Sequence, residues 1–167
     1  MPRMKPDVFE AFLREPHIGV IATLRRDGRP YTVPVWWLWK DGAVWLTGTY
    51  NRVWCKHLLR DPRTSLCIEA TAPVPGHVEF DGIAEPLHPD RFDIWPISRE
   101  LVEKYVGRGD PGRAADVEAF LANMRTEPRL LFRLLPQTIR AIDMRVYRGK
   151  RADREYQAGN SPAEPER

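Results

Sequence analysis

Two Asp-Gly pairs, Asp27-Gly28 and Asp41-Gly42, separate runs of β-branched and aromatic residues and constrain the fold class more than any other feature. Glycine accepts the positive φ of a tight hairpin, and a preceding aspartate tolerates the same turn. Before the first pair, Ile18-Gly19-Val20-Ile21-Ala22-Thr23-Leu24 reads as a buried strand. The returning strand covers about Pro30 to Trp39, and a third covers Ala43 to Thr47. Three consecutive strands joined by tight turns predict an antiparallel meander.

The second of these strands is apolar on both faces, with Val33, Val35, Trp37 and Trp39 on one and Thr32, Pro34, Trp36 and Leu38 on the other. A strand of that kind is covered on both sides. One side is expected to meet the core, the other a further element, a partner subunit or a flat ligand. Pro34 has no N–H, so the ladder is interrupted there or the strand lies at an edge.

The remaining elements follow the same punctuation. A short N-terminal helix carries Val8, Phe9, Phe12 and Leu13 as its apolar stripe, with Asp7 as cap, Glu10 three positions later and Pro16 as its stop. Residues 50–60 read as a helix ended by Asp61-Pro62. Strands are expected at Thr64–Ala70 and His77–Leu87, helices over 89–106 and 114–125, and two closing strands at Leu130–Leu135 and Ile139–Val146. Residues 148–167 are polar, with Gly, Pro and Glu, and are expected to form a poorly ordered tail. Six or seven strands with few helices predict a small barrel over residues 1–147, one domain for a chain of 167 residues.

Cys55 and Cys67 are too few for a disulfide scaffold, and His17, His57, His77 and His88 show no ligand spacing, so no metal site is expected. No apolar run reaches the ~18 residues of a membrane span, and no apolar h-region follows the N-terminus. A soluble cytoplasmic domain is the expectation. The formal charge of +3 comes with interspersed acidic residues rather than a basic block, which argues against nucleic acid and leaves room for a local basic pocket.

The stretch Thr47-Gly48-Thr49-Tyr50-Asn51-Arg52-Val53-Trp54-Cys55-Lys56 is the most informative chemically. A strand ends in small hydroxyl residues and glycine, and a helix begins with a cation in its first turn. Free N–H groups and the dipole at such a helix start attract anions. Arg52 and Lys56 share a helix face, and a guanidinium grips phosphate oxygens in pairs. An ordinary helix with two exposed cations is the alternative. Cys55 beside these cations is either an activated thiol or a buried filler. No nucleophile elbow and no Gly-rich phosphate loop is present.

Several of these pieces occur in a familiar order: Gly19-Val20-Ile21-Ala22-Thr23-Leu24, Asp27-Gly28-Arg29-Pro30, Val33-Pro34-Val35-Trp36, the Thr47–Lys56 corner, Leu59-Arg60-Asp61-Pro62-Arg63, and His77 through Glu85. Over residues 8–88 the chain resembles the pyridoxamine 5′-phosphate oxidase-like proteins, the flavin/deazaflavin oxidoreductase split-barrel superfamily. The resemblance implies a mainly β fold, a six- to seven-stranded antiparallel split β-barrel of the FMN-binding type. It further implies a homodimer with two cofactors at the subunit interface, hydride transfer through noncovalently bound FMN, and a small-molecule substrate.

Carried over residue by residue, the resemblance puts the cofactor's phosphate beside Arg52, Thr47 and Thr49, with Lys56 nearby. Its ring lies along Val33, Pro34, Val35 and Trp36, and His77 falls where related oxidases carry a glutamine near the ring. Trp54 stands where many members have a phosphate-gripping lysine. That departure opens two alternatives on the same fold: a reductase dependent on coenzyme F-420, and a non-catalytic cofactor- or haem-binding protein. No catalytic acid or base is assigned, because the cofactor carries the redox chemistry.

Overall fold

The computed structural model describes residues 3–147, so the expected tail over 148–167 lies outside the described residues. Seven strands form one antiparallel sheet: β1 (Gly19–Leu24), β2 (Pro30–Val35), β3 (Leu38–Lys40), β4 (Ala43–Thr49), β5 (Arg63–Ala70), β6 (Gly76–Leu87) and β7 (Arg129–Asp143). Four helices accompany it: α1 (Pro6–Arg14), α2 (Val53–Arg60), α3 (Trp95–Val102) and α4 (Ala114–Met124). The mainly β architecture is therefore present.

The spatial order β2-β1-β5-β6-β7-β4-β3 differs from a meander. The expected single strand from Pro30 to Trp39 is two strands, broken at Trp36-Trp37, and the halves lie at opposite edges of the sheet. The sheet curls until its edges meet at this corner without a ladder between them. Burial explains the break. Trp37 is 0% exposed, its indole Nε1 donates to the His17 carbonyl at 2.8 Å, and its N–H donates to Tyr105 Oη at 3.2 Å. The phenol thus supplies the partner that a neighbouring strand would have given, as a buried N–H requires. Pro34 lies on an edge strand opposite Val20, where its missing N–H costs no ladder bond.

The turn signals hold locally. Asp41 and Gly42 both have positive φ, 52° and 71°, and form a two-residue loop between Lys40 and Ala43. This is the twist-compatible hairpin turn that Asp-Gly favours. Elsewhere tertiary context shifts boundaries. Pro6 starts α1, so Asp7 lies in its first turn and does not cap it. Pro96 fits only the first turn of a helix, so α3 begins at Trp95 and not near residue 89. The two expected closing strands are one strand, β7, because β6 offers partners along its whole length. The ladder skips Gln137 in a bulge beside Pro136, opposite Asp81 and Gly82.

Inside the curl lie Phe12, Ile21, Leu46, Leu66, Phe80 and Phe132, all fully buried, each contributing on the order of 1.5–3 kcal/mol from apolar burial. Helix α1 packs Phe9 edge-on against Trp39 near β3. Helix α2 lies at the other end of β1, where Thr23 Oγ1 is 2.9 Å from His57 Nδ1. Helices α3 and α4 pack on each other.

Candidate functional site

Strand β4 ends at Thr49, and the chain turns through Tyr50 and Asn51 into α2 with Arg52 as the extended N-cap residue. No side chain caps this helix and no acidic residue occupies its first turn. Its leading N–H groups are therefore left for an anion, which the helix dipole favours. Gly48 makes the tight corner possible: a Cβ there would meet Cys55 Sγ, and the Trp54 ring at 2.8 Å. Trp54 is 3% exposed and packs against Phe132 at 5.5 Å, so it is chiefly a core residue whose edge reaches the site. Cys55 is also fully buried, and that burial pushes its thiol up to about 12. This overturns the activated-thiol reading, because a thiol with that value holds its proton at neutral pH.

A cavity of 280 Å³ opens at this corner. It brings together Pro34, Val35 and Trp36 from β2 and the bend, Thr47 from β4, and Arg52 and Trp54 from α2. Four anticipated residues do not line it. Val33 packs toward the core and Thr49 is buried beneath the corner. Lys56 is exposed farther along α2. His77 is half-buried on β6 with Nε2 3.7 Å from Glu79.

The lining also contains residues that the sequence did not single out: Ile18, Val102, Phe120, Met124 and Arg129. Arg129 matters most. Its side chain is only 9% exposed; Nη1 donates to Thr47 Oγ1 at 3.4 Å and Nη2 to Glu127 at 2.5 Å. Its Nε is buried with no hydrogen-bond partner among the described residues. A buried N–H left unmatched costs about 1–3 kcal/mol, so this guanidinium is built to receive an acceptor. Arg52, exposed and without an ion-pair partner among the described residues, supplies a second cation to the same cavity.

The opposite wall is aromatic. Trp36 stacks on Tyr105 with centroids 4.9 Å apart and planes 1° apart, and Phe120 leans on it at 5.3 Å. From the mouth an apolar strip runs along the outside of β1 and β2 through Ile18 (47% exposed), Val20 (43%) and Pro34. The arrangement can seat an anionic group at one end and a flat apolar body at the other. Among the described residues, no three His, Cys, Asp or Glu side chains gather as a metal set, and no helix is long and apolar enough to cross a membrane.

Local patterning held few clues to the missed residues. Arg129 is a single cation before an apolar run, and Phe120 and Met124 belong to a helical stripe that reads as core.

Comparison with known proteins gives a consistent result. The family model for pyridoxamine 5′-phosphate oxidase matches residues 6–143. Among solved structures, a conserved hypothetical protein from Mycobacterium tuberculosis superposes with TM-score 0.67 at 23% identity, covering 85% of this chain and 86% of that one. An F-420 reductase gives TM-score 0.57 at 21% identity over 78% of this chain and 94% of that one. The haem storage protein of Vibrio cholerae gives 0.60 at 18% identity, covering 82% and 93% respectively. At these identities the likeness is one of fold, the split barrel. No curated protein matches the chain significantly.

Proposed function

The chain belongs to the pyridoxamine 5′-phosphate oxidase family, and on that premise we propose that it is an oxidoreductase holding FMN noncovalently in the corner cavity. The observation that carries this reading is the orphaned Nε of Arg129, buried beside Thr47 at the polar end of an otherwise apolar cavity. Two guanidiniums, Arg129 and Arg52, match the charge of a phosphate monoester, and the free N–H groups of α2 add further donors. Arg129 supports phosphate binding where Trp54 replaces the lysine that the family resemblance suggests. The apolar run from Pro34 to Trp36 suits the face of a flavin ring.

When bound, the flavin supplies two-electron redox chemistry. The protein's part is to bind, orient and exclude water. The cavity lining offers threonine, arginine and apolar groups but no carboxylate or imidazole, so no protein acid or base is assigned.

The cavity lies just below the ~300 Å³ at which pockets enclose a whole small ligand. A flavin anchored at Arg129 therefore extends onto the strip of Ile18, Val20 and Pro34, and a second copy of the chain covers it. A homodimer completes the site in this reading. The same cavity suits coenzyme F-420, and the buried Trp54 in place of a lysine favours that alternative. A haem reading has less support, since no imidazole or thiolate lines the cavity.

Mass spectrometry of the ligand released from the native protein, with titration of FMN and F-420 followed by absorbance, tests the proposal. One FMN per chain in a dimer is expected. Binding of F-420 alone transfers the site to the deazaflavin, and a monomer that binds neither cofactor overturns both readings.

A further inference from the structure

We propose that Lys104 is the amine nucleophile of a second site, separate from the cofactor cavity, that captures a small carbonyl-bearing carboxylic acid. A cavity of 650 Å³ lies between the end of α1, strand β3 and the turn that follows α3, and it shares no lining residue with the corner cavity. Lys104, Arg108 and Arg14 bring three cations to it, with Glu10 and Glu15 on the same wall.

The local backbone makes the amine unusual. Residues Glu103–Gly107 continue α3 as a π-helical turn, and Arg108 ends it in the left-handed region with φ 52°. The Arg108 side chain folds back on this turn, where its Nε donates to the Tyr105 carbonyl at 3.2 Å and leaves its two Nη groups for other partners. This turn carries Lys104 under α1. Its Nζ donates to the Leu13 carbonyl at 2.9 Å and sits 3.5 Å from the centroid of the Trp37 ring. Among the described residues no carboxylate lies within ion-pairing distance of Nζ.

The titratable and charged groups around this amine are Glu10, Arg14 and Glu15 of the α1 end, His17 beyond it, and Tyr105 and Arg108 on its own turn. Burial dominates and pushes the Lys104 amine down to about 7, against the opposing pull of Glu15. The face of Trp37 also favours the cation, and so works in the same direction as Glu15. A substantial neutral fraction at neutral pH is what makes a lysine nucleophilic.

In the step itself, the neutral Nζ attacks the carbonyl carbon and a C–N bond forms. The carbonyl oxygen takes up one amine proton to give a carbinolamine. Then, as the second N–H proton is lost and the C=N bond of the imine forms, it breaks from carbon and leaves as water carrying both protons. Arg108 and Arg14 are the groups available to pair with the ligand's carboxylate.

The full-length wild-type chain, incubated with glyoxylate and cyanoborohydride at neutral pH and mapped by peptide mass spectrometry, tests the proposal. Reduction of the imine leaves a stable secondary amine. Labelling of Lys104 at least about ten-fold faster than Lys5 and Lys56 is expected, since an ordinary lysine is almost wholly protonated there. Arg108→Gln is expected to slow labelling by glyoxylate but not by formaldehyde, which has no carboxylate. Equal labelling of Lys104 and the surface lysines overturns the nucleophile. Indifference of the glyoxylate rate to both Arg108→Gln and Arg14→Gln overturns the acid specificity.

Discussion

Tyr105 and Trp37 are joined through one phenol oxygen: Tyr105 Oη accepts the Trp37 N–H at 3.2 Å and lies 2.8 Å from the His17 carbonyl and 3.2 Å from that of Trp37. The hydroxyl has one proton, and the shorter His17 contact has the better claim on it. A residue from the turn after α3 thereby closes the gap where the two sheet edges meet.

Tyr105→Phe removes this bridge without emptying the space. Leaving the buried Trp37 N–H unmatched is expected to cost about 1–3 kcal/mol, while the His17 carbonyl keeps the Trp37 indole N–H as its donor. Urea unfolding measures it directly. A loss below about 0.5 kcal/mol would show that water replaces the phenol.

Arg52→Ala separates binding from folding, because the side chain is exposed and lines the cavity. Losing a charged hydrogen bond is expected to weaken FMN binding by about 1.5–3 kcal/mol, roughly 10- to 150-fold in Kd. The unfolding midpoint should stay almost unchanged. Arg129→Ala is expected to lower affinity and stability together, since that side chain is buried. Flavin fluorescence quenching and thermal unfolding on the same samples distinguish the two behaviours.

Gly48→Ala places a methyl group against Cys55 Sγ and the Trp54 ring. Neither can retreat, as both are packed in the core. Overpacking of this kind is expected to cost about 1–3 kcal/mol and to shift the Trp54 environment. Tm and near-ultraviolet dichroism report the two effects, and an unchanged spectrum would argue against Trp54 packing on this corner.

Stability is expected to depend on pH in two windows with the same sign. Burial lowers His17, with Lys104 acting in the same direction and Glu15 opposing; burial, then Arg60 and Arg25, lower His57. Below the ordinary value of 6.5 the unfolded chain binds these protons before the folded chain does. Their contribution is therefore complete above that pH and is lost as pH falls beneath it. Lys104 drops from 10.5 to about 7 on folding, so between those values the unfolded chain again holds the extra proton. Stability should rise with pH from 7 until ordinary tyrosines begin to ionise near 10. Urea midpoints across this range, with Lys104→Met as control, measure the rise; a flat alkaline limb in the wild type counts against a buried amine.

What the sequence determined by itself was local. Asp41-Gly42 dictated its hairpin because only certain residues accept two successive positive φ values. The runs of β6 and α2 were readable because alternation and helical spacing depend on neighbours within a few residues. The polar corner at Thr47 and Arg52 was legible for the same reason: a strand end and a helix start are adjacent in the chain. Tertiary structure alone decided that Trp36 and Trp37 break a continuous apolar run, since only the buried pocket around Trp37 and the distant Tyr105 hydroxyl make the break cheaper than continued pairing. It also decided that Arg129 joins Thr47, and that Phe120 leans on Trp36. Those pairings depend on sheet order and helix docking, which arise from packing between segments far apart in the chain and leave no periodic trace in any one of them.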